Sequence, residues 1–524
     1  MNRRELSQMA FEESCTPYGT VRFEEKNRFS FWNINSTQFM YVPAFRFTGI
    51  RECERYRYDA VDEKGETHSF ETDSCCALLT PIWRELPEGV VKLTVKAINP
   101  DGTDYALIGA RVFFKLASFP ENTPPAKCSY KDSAQKAYRF AMYEGFIQHW
   151  LTDGTPDPSY DLYVYPSKFI SALVRGMISY AKHNPQTKDK ALIVAERAAK
   201  WLIGITPRGN VPLADLPPTY YLDYCHEPEK YSDNAHWKIA SSLINTNMMI
   251  YPAFVGTMYL DLENVTGKYL YLEEAKKIAN YYVSTIEENG SWFLVRSAIT
   301  GEPIGENYIS PMLSIVPFFI KLYHRTHEEI YKNICDRAVL YVEKTQLATY
   351  NWEGQFEDTV VSSNYSNLSQ YGPVELAKYH FDDKQRLKTA IELMRFAEDQ
   401  FVVWNRFSPW HDNNKTTLEV SEDVPDWHTP AALEQYEWYV PIDASTAHII
   451  QGFLSLYKAG CGEIYLAKAR VLTDQITRMQ QENGKIPTHW MNTSAANDNF
   501  WYNCFFESCE ALCDMSEYEN VVFE

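Results

Sequence analysis

Adjacent carboxylates stand at Glu357 and Asp358 in the segment Asn351–Thr359, which also holds Trp352 and Gln355. Neighbouring side chains of an extended chain point to opposite faces, so one acid can enter a cleft while the other orients it or a nearby backbone. The competing role is capping of the following helix. A second group runs through Leu433–Ser445, with Glu434, Tyr436, Tyr439 and Asp443 just ahead of a helical segment. Asp443 falls where that helix begins, so an N-cap and a reacting carboxylate are both open for it. A third group, Ile486–Asn492, sets His489 beside Trp490, a hydrogen-bonding ring next to a stacking face. His489 could equally satisfy a backbone carbonyl.

Paired carboxylates among aromatics suit acid/base cleavage of a glycosidic bond. A protonated carboxyl assists departure of the leaving oxygen, an ionised one activates water or attacks carbon, and aromatics that exclude water raise the pKa of the acid. Sugars are held by aromatic faces and by carboxylates that grip hydroxyl groups. Glu357, Asp358, Glu434 and Asp443 are therefore the expected catalytic residues, with acid and base unassigned. Trp352, Gln355, Tyr436, Tyr439, His489, Trp490 and Asp223 are the expected sugar-binding residues. The aromatic runs Tyr160–Tyr165, Tyr220–Tyr224 and Phe500–Tyr502 also fall at expected cleft positions. Two rival readings stay open. One is an epimerase or lyase that takes a carbon-bound proton with His489, Tyr436 or Tyr439; the other is a noncatalytic carbohydrate-binding protein.

Several chemistries have no footing. His226, His236, His411 and His428 lie in long loops without the HExxH type of spacing, so no metal is expected. Phosphate-cradling glycine patterns and the nucleophile elbow are missing as well, and no cofactor is expected. A net charge of -19, with 69 acidic against 50 basic residues, argues against nucleic acid as a partner. No apolar run reaches membrane-spanning length, and the N-terminus Met1–Ser7 lacks the apolar stretch of a signal peptide. The eleven cysteines are odd in number and mostly inside expected elements, which reads as buried thiols in a reducing, cytoplasmic setting.

The elements that must position these residues show a repeat. Apolar residues recur at helical spacing in 166–183 with 188–205, 252–265 with 269–286, 311–324 with 327–346, 370–380 with 384–401, and 443–458 with 463–481. Joins inside pairs are short, and three pairs share a leucine (Leu262, Leu322, Leu456) followed nine residues on by a tyrosine (Tyr271, Tyr331, Tyr465). Helices at 134–150 and 502–516 would form a sixth pair that closes a ring. Connections between pairs are long, and loops of that length in a compact domain are usually functional. A ring with short turns at one end must carry all of them at the other, as walls of one cleft.

Residues 25–118 read differently. Phe29–Trp32, Tyr56–Val61, Val91–Ala97 and Gly109–Lys115 alternate or cluster as strands with turn residues between them, which predicts a β-sandwich. The expected organisation is an N-terminal segment 1–24, a sandwich 25–118, a linker 119–133 and a helical ring 134–524. The stretch Thr80–Gly89 resembles the corner before a late strand of fibronectin type III modules.

The paired helices preceded by a sandwich resemble the six-hairpin glycosidase superfamily, and Asn351–Asp358 and Val440–Ser445 resemble uncharacterised bacterial and glucuronidase-type members. The resemblance implies a multidomain β plus all-α chain, with a β-sandwich followed by an (α/α)6 barrel, and a glycoside hydrolase acting on an oligosaccharide or glycoside that can contain uronic acid. The superfamily also includes unsaturated glucuronyl hydrolases, phosphorylases and, in related toroids, epimerases and lyases. The tandem Asp-Asp of its endo-mannanase branch is not seen in a tryptophan-rich setting, since Asp382-Asp383 lies in a short turn at the opposite end.

Overall fold

The computed structural model describes residues 2–17, 37–51, 53–225, 233–309, 312–348, 374–378, 384–408, 427–434, 441–490 and 500–523. The N-terminal part holds α1 (Arg3–Ser14), β1 (Gln38–Phe39), β2 (Ala44–Arg46), β3 (Tyr56–Val61), β4 (Thr67–Thr72), β5 (Cys76–Leu78), the short α2 (Thr80–Trp83), β6 (Gly89–Ile98) and β7 (Asp104–Lys115). The helical part begins with α3 (Tyr130–Tyr143), α4 (Gly145–Thr152), α5 (Pro166–His183), α6 (Lys188–Ile205), α7 (Ala235–Leu243), β8 (Thr246–Met248), α8 (Tyr251–Thr266) and α9 (Tyr269–Thr285). It continues through β9 (Phe293–Ser297), β10 (Pro303–Ile309), α10 (Met312–Thr326), α11 (Glu329–Val342) and a helical stretch at 374–378, here α12. It ends with α13 (Lys384–Phe401), β11 (Val402–Val403), β12 (Ala431–Ala432), α14 (Asp443–Lys458), α15 (Glu463–Met479) and α16 (Tyr502–Ser516).

The helices pair as hairpins: α5 packs on α6, α8 on α9, α10 on α11 and α14 on α15. The inner members α5, α8 and α10 follow one another around the axis, and α16 closes the circle by packing on α14, α5 and the outer α3. Local chemistry sets the ends of these helices. Pro166 and Pro252 occupy first-turn positions whose N–H would be unsatisfied anyway, and α8 stops at Gly267, whose φ of 67° is the left-handed cap that a side chain resists. Leu262, Tyr271, Leu322, Tyr331, Leu456 and Tyr465 are all buried at the three equivalent turns. The expected single helix 134–150 is instead α3 and α4, because Glu144 between them is extended (φ -68°, ψ 145°) and serves both as the end of one and the start of the other. Two long connections have structure of their own: β8, β9 and β10 form a small antiparallel sheet. No described helix is long and apolar enough to cross a membrane.

Glycine lets the inner helices approach. A Cβ on Gly256 of α8 would lie 2.4 Å from the Phe318 ring of α10. Alanine normally stabilises a helix over glycine by roughly 0.5–1 kcal/mol. Here Gly256→Ala must displace a buried ring, and overpacking of that kind costs about 1–3 kcal/mol, so a net loss of stability is expected in urea unfolding.

In the N-terminal part, the five-stranded sheet has the order β1-β7-β6-β3-β4 and a separate pair joins β2 to β5. Alternation works as expected on β3, where Tyr56, Tyr58 and Ala60 are buried, and on β6, where Val91, Leu93, Val95 and Ala97 are. A fibronectin-type sandwich is not clear among the described residues. The expected strand Phe29–Trp32 lies outside them, and the expected corner at Thr80 is a short helix. The two parts join through a buried polar seam. The Asp399 carboxylate of α13 accepts from the backbone N–H groups of Met40 and Tyr41 at 2.5 and 2.6 Å, and the Gln38 amide donates to the Gln400 carbonyl at 2.8 Å. Residue 119 of the expected linker is docked as well, with Phe119 edge-on to Trp404 at 5.1 Å.

Candidate active site

A cavity of ≈ 170 Å³ lies on the ring axis, walled by the first turns of the inner helices. That is small against the roughly 300–1,000 Å³ of pockets for drug-sized ligands, and it suits one ring-sized group. The wall is built by helical spacing. Lys168, Ser171 and Arg175 of α5, Ser445 and His448 of α14, and Asn503 and Glu507 of α16 each recur every three or four residues, so each set shares the face turned to the axis. Glu434, ahead of α14, and Trp501, ahead of α16, complete the polar and aromatic lining. Among the described residues, Glu434, Ile442 and Trp501 of that lining stand just ahead of the helices they precede.

The Trp501 ring is held from several sides. Its backbone N–H donates to the Thr488 hydroxyl at 2.9 Å, the His236 and His489 rings meet it edge-on at 5.9 and 6.0 Å, and the Lys168 ammonium lies 5.3 Å from its centroid. A tryptophan so fixed offers a stacking face with little entropy left to lose.

Three carboxyl environments differ. Burial within the ring raises the Glu507 carboxyl to about 7, against the pull of Arg175 and with Glu510 adding to the rise. Lys378 pulls in the same direction as Arg175 and Glu375 adds to the rise, while Glu507 itself is exposed at the cavity. Glu375 of α12 is the opposite case. Burial alone would raise it, but Lys378 and the His448 imidazole hold it at about 2. His448 Nε2 donates to Glu375 Oε1 at 2.8 Å, which leaves Nδ1 as the basic nitrogen, and burial lowers the imidazole so that it is neutral near pH 7. Asp443 is fully buried behind the wall. Its Oδ1 accepts from the Ala444 N–H at 2.8 Å and its Oδ2 from the Ser508 hydroxyl at 3.3 Å, and burial pushes it well above the ordinary carboxylate range. Cys504 lines the cavity, but burial raises its thiol well above the usual value, which leaves it a poor nucleophile at neutral pH.

Of the expected site residues, Glu434 is in the cavity wall. Asp443 instead ties the start of α14 to α16. His489 is buried and supports Trp501 from behind, its ring lowered to about 4 by burial, with Nδ1 unpartnered among the described residues. Trp490 is fully buried in the main core rather than at the cavity, and Asp223 is an exposed turn residue off the cavity wall. Trp352, Gln355, Glu357, Asp358, Tyr436 and Tyr439 lie outside the described residues. The aromatic runs also divide. Trp501 reaches the cavity, whereas Tyr160 and Tyr502 pack against Phe146 and Phe169, and Tyr163 packs edge-on against Tyr160, as part of the core. Lys168, Arg175, Glu375, His448 and Glu507 were missed, being inside helices. Their signal was a polar stripe at i, i+3/4 and i+7 on otherwise apolar helices.

Among the described residues one cluster has metal-ligand geometry, Asp62, Glu66 and His68 in the β3–β4 hairpin. Asp62 there already accepts from the Lys64 and Glu66 N–H groups at 2.8 and 3.0 Å, as a turn-holding aspartate does.

No family model matches the sequence, and no curated protein matches it. Solved structures do. D-mannose isomerase superposes with a TM-score of 0.50 at 11% identity, over 74% of this chain and 97% of its own. A family 76 glycoside hydrolase from a bovine Bacteroides thetaiotaomicron strain gives 0.46 at 12% identity over 91% and 96%, and cellobiose 2-epimerase from Spirochaeta thermophila DSM 6192 gives 0.46 at 11% over 73% and 98%. At these identities the likeness is one of fold, the (α/α)6 toroid.

Proposed function

We propose that the chain is a glycoside hydrolase whose axial cavity holds one sugar residue, with Glu507 as proton donor and Glu434 as a second carboxyl of the site. The observation that carries this reading is a carboxyl of raised proton affinity, Glu507, in one cavity with Glu434 and the Trp501 face. Carboxyls whose environments push their proton affinities apart divide the acid and base roles between them. Protonated Glu507 gives its proton to the departing glycosidic oxygen, while an ionised carboxylate activates water or attacks the anomeric carbon. Glu357 and Asp358 remain candidates for that second role. The shared fold with carbohydrate-processing enzymes supports a sugar as the ligand.

The test is a panel of aryl-glycosides, glucuronides included, read by phenol release. Glu434→Gln keeps the shape and removes the ionisable group, so turnover on a cleaved substrate should fall on the order of 10²-fold or more with the melting temperature unchanged. Activity equal to the parent would remove Glu434 from the mechanism.

A second reading rests on the His448–Glu375 pair, a neutral imidazole held by a carboxylate and able to take a carbon-bound proton, as an epimerase or isomerase requires. That enzyme would carry solvent deuterium into a free sugar and release no phenol, and His448→Asn would stop the exchange.

A further inference from the structure

We propose that Arg175 is a positioning residue of this site, set against both Glu507 and Glu510 so that one guanidinium governs how firmly the cavity carboxyl of Glu507 keeps its proton. The consequence for catalysis rests on the reading of Glu507 as the acid.

Glu507 and Glu510 are three residues apart on α16 and therefore share a face. Arg175 Nη2 donates to Glu510 Oε2 at 3.3 Å, and Arg175 lines the cavity with Glu507. The neighbouring residues explain why these groups meet. A Cβ on Gly176 would lie 2.4 Å from the Phe506 ring, so α5 and α16 touch at 176 and 506, immediately beside 175 and 507. That contact sets the spacing of the charged pair. The cation favours the ionised form of Glu507, and the second carboxylate disfavours it.

The other charged groups around Glu507 are largely committed to one another. On α12, Lys378 Nζ lies 2.8 Å from Glu375 Oε1, and the same oxygen accepts from His448 of α14. Lys168 of α5 lies against Trp501, Asp443 of α14 is held by Ala444 and Ser508, and Glu434 stands across the cavity lining. Arg175, which lines the cavity with Glu507, and Glu510, one turn along α16, are the opposed charges proposed to act on Glu507. Both are partly open, at 41% and 31% side-chain exposure, so their effect is moderated by water.

Infrared titration of the whole protein tests this without a substrate. The protonated-carboxyl band that disappears in Glu507→Gln is followed against pH in the parent and in three variants. Arg175→Met should move the Glu507 midpoint upward by roughly half to one pH unit, Glu510→Gln should move it downward by a similar amount, and Arg175→Lys should restore most of the parent midpoint. Loss of packing alone would lower stability without shifting the midpoint in opposite directions. An unmoved midpoint in both Arg175→Met and Glu510→Gln overturns the proposal. Should Arg175→Met fold poorly, the sign of the Glu510→Gln shift decides. Turnover of Glu507→Gln is a separate measurement. Full activity there, with the opposed shifts intact, would remove the catalytic role of Glu507 and leave the Arg175 arrangement standing.

Discussion

Glu507→Gln is expected to lower turnover on the order of 10²–10⁴-fold while the protein stays folded, because the amide keeps the volume and hydrogen bonding of the acid but has no proton to give. The pH profile should carry the same signature. Glu507 works as an acid only while protonated, and the ring raises its carboxyl to about 7, so kcat should hold below neutrality and fall as pH rises through that value. In Glu507→Gln the residual activity should lose this limb. Steady-state kinetics on a cleaved aryl-glycoside, alongside circular dichroism melts, separates the outcomes. Near-parental turnover, or an alkaline limb unchanged in the variant, would move the acid role to Glu434, Glu357 or Asp358.

The second large effect is on stability and lies far from the cavity. Lys468 of α15 and Glu398 of α13 form an ion pair at 2.6 Å, with side chains 1% and 2% exposed. Tyr41 from the N-terminal part and Trp404 each donate to the same carboxylate at 3.0 Å. Removing one partner of a buried pair leaves an uncompensated charge, and Lys468→Met is expected to cost about 3–5 kcal/mol. Glu398→Gln in the same chain should recover much of that loss, since two neutral groups need no counter-charge. Urea unfolding followed by tryptophan fluorescence reads both, and turnover per folded molecule should not change. A single variant as stable as the parent would mean that water reaches the pair and that the seam contributes little to holding the two parts together.

Fold and site were unequally legible in the sequence, for different physical reasons. Helix limits are set locally. The expected spans 166–183, 188–205, 384–401, 443–458 and 502–516 coincide with α5, α6, α13, α14 and α16, because apolar periodicity and nearby prolines and glycines act within a few residues. The ring of paired helices followed from counting hairpins. The alternation in Tyr56–Val61 and Val91–Ala97 likewise marked true strands, since facing is a property of successive residues.

What those local patterns could not decide was which polar groups the ring would enclose. An acid inside a helix ordinarily meets water, so nothing in the sequence singled out Glu375 or Glu507; only the meeting of α5, α12, α14 and α16 at the axis makes one a strong acid and the other a weak one. Aromatic loop residues had the converse fate. Tyr163 and Trp490 read as ligand-facing, yet large apolar surface is driven from water wherever a core can receive it, and both are fully buried. Asp443 shows both levels in one residue. Its place at the start of a helix was local and visible, while its burial against Ser508, which removes it from the cavity wall, came from the packing of α14 on α16.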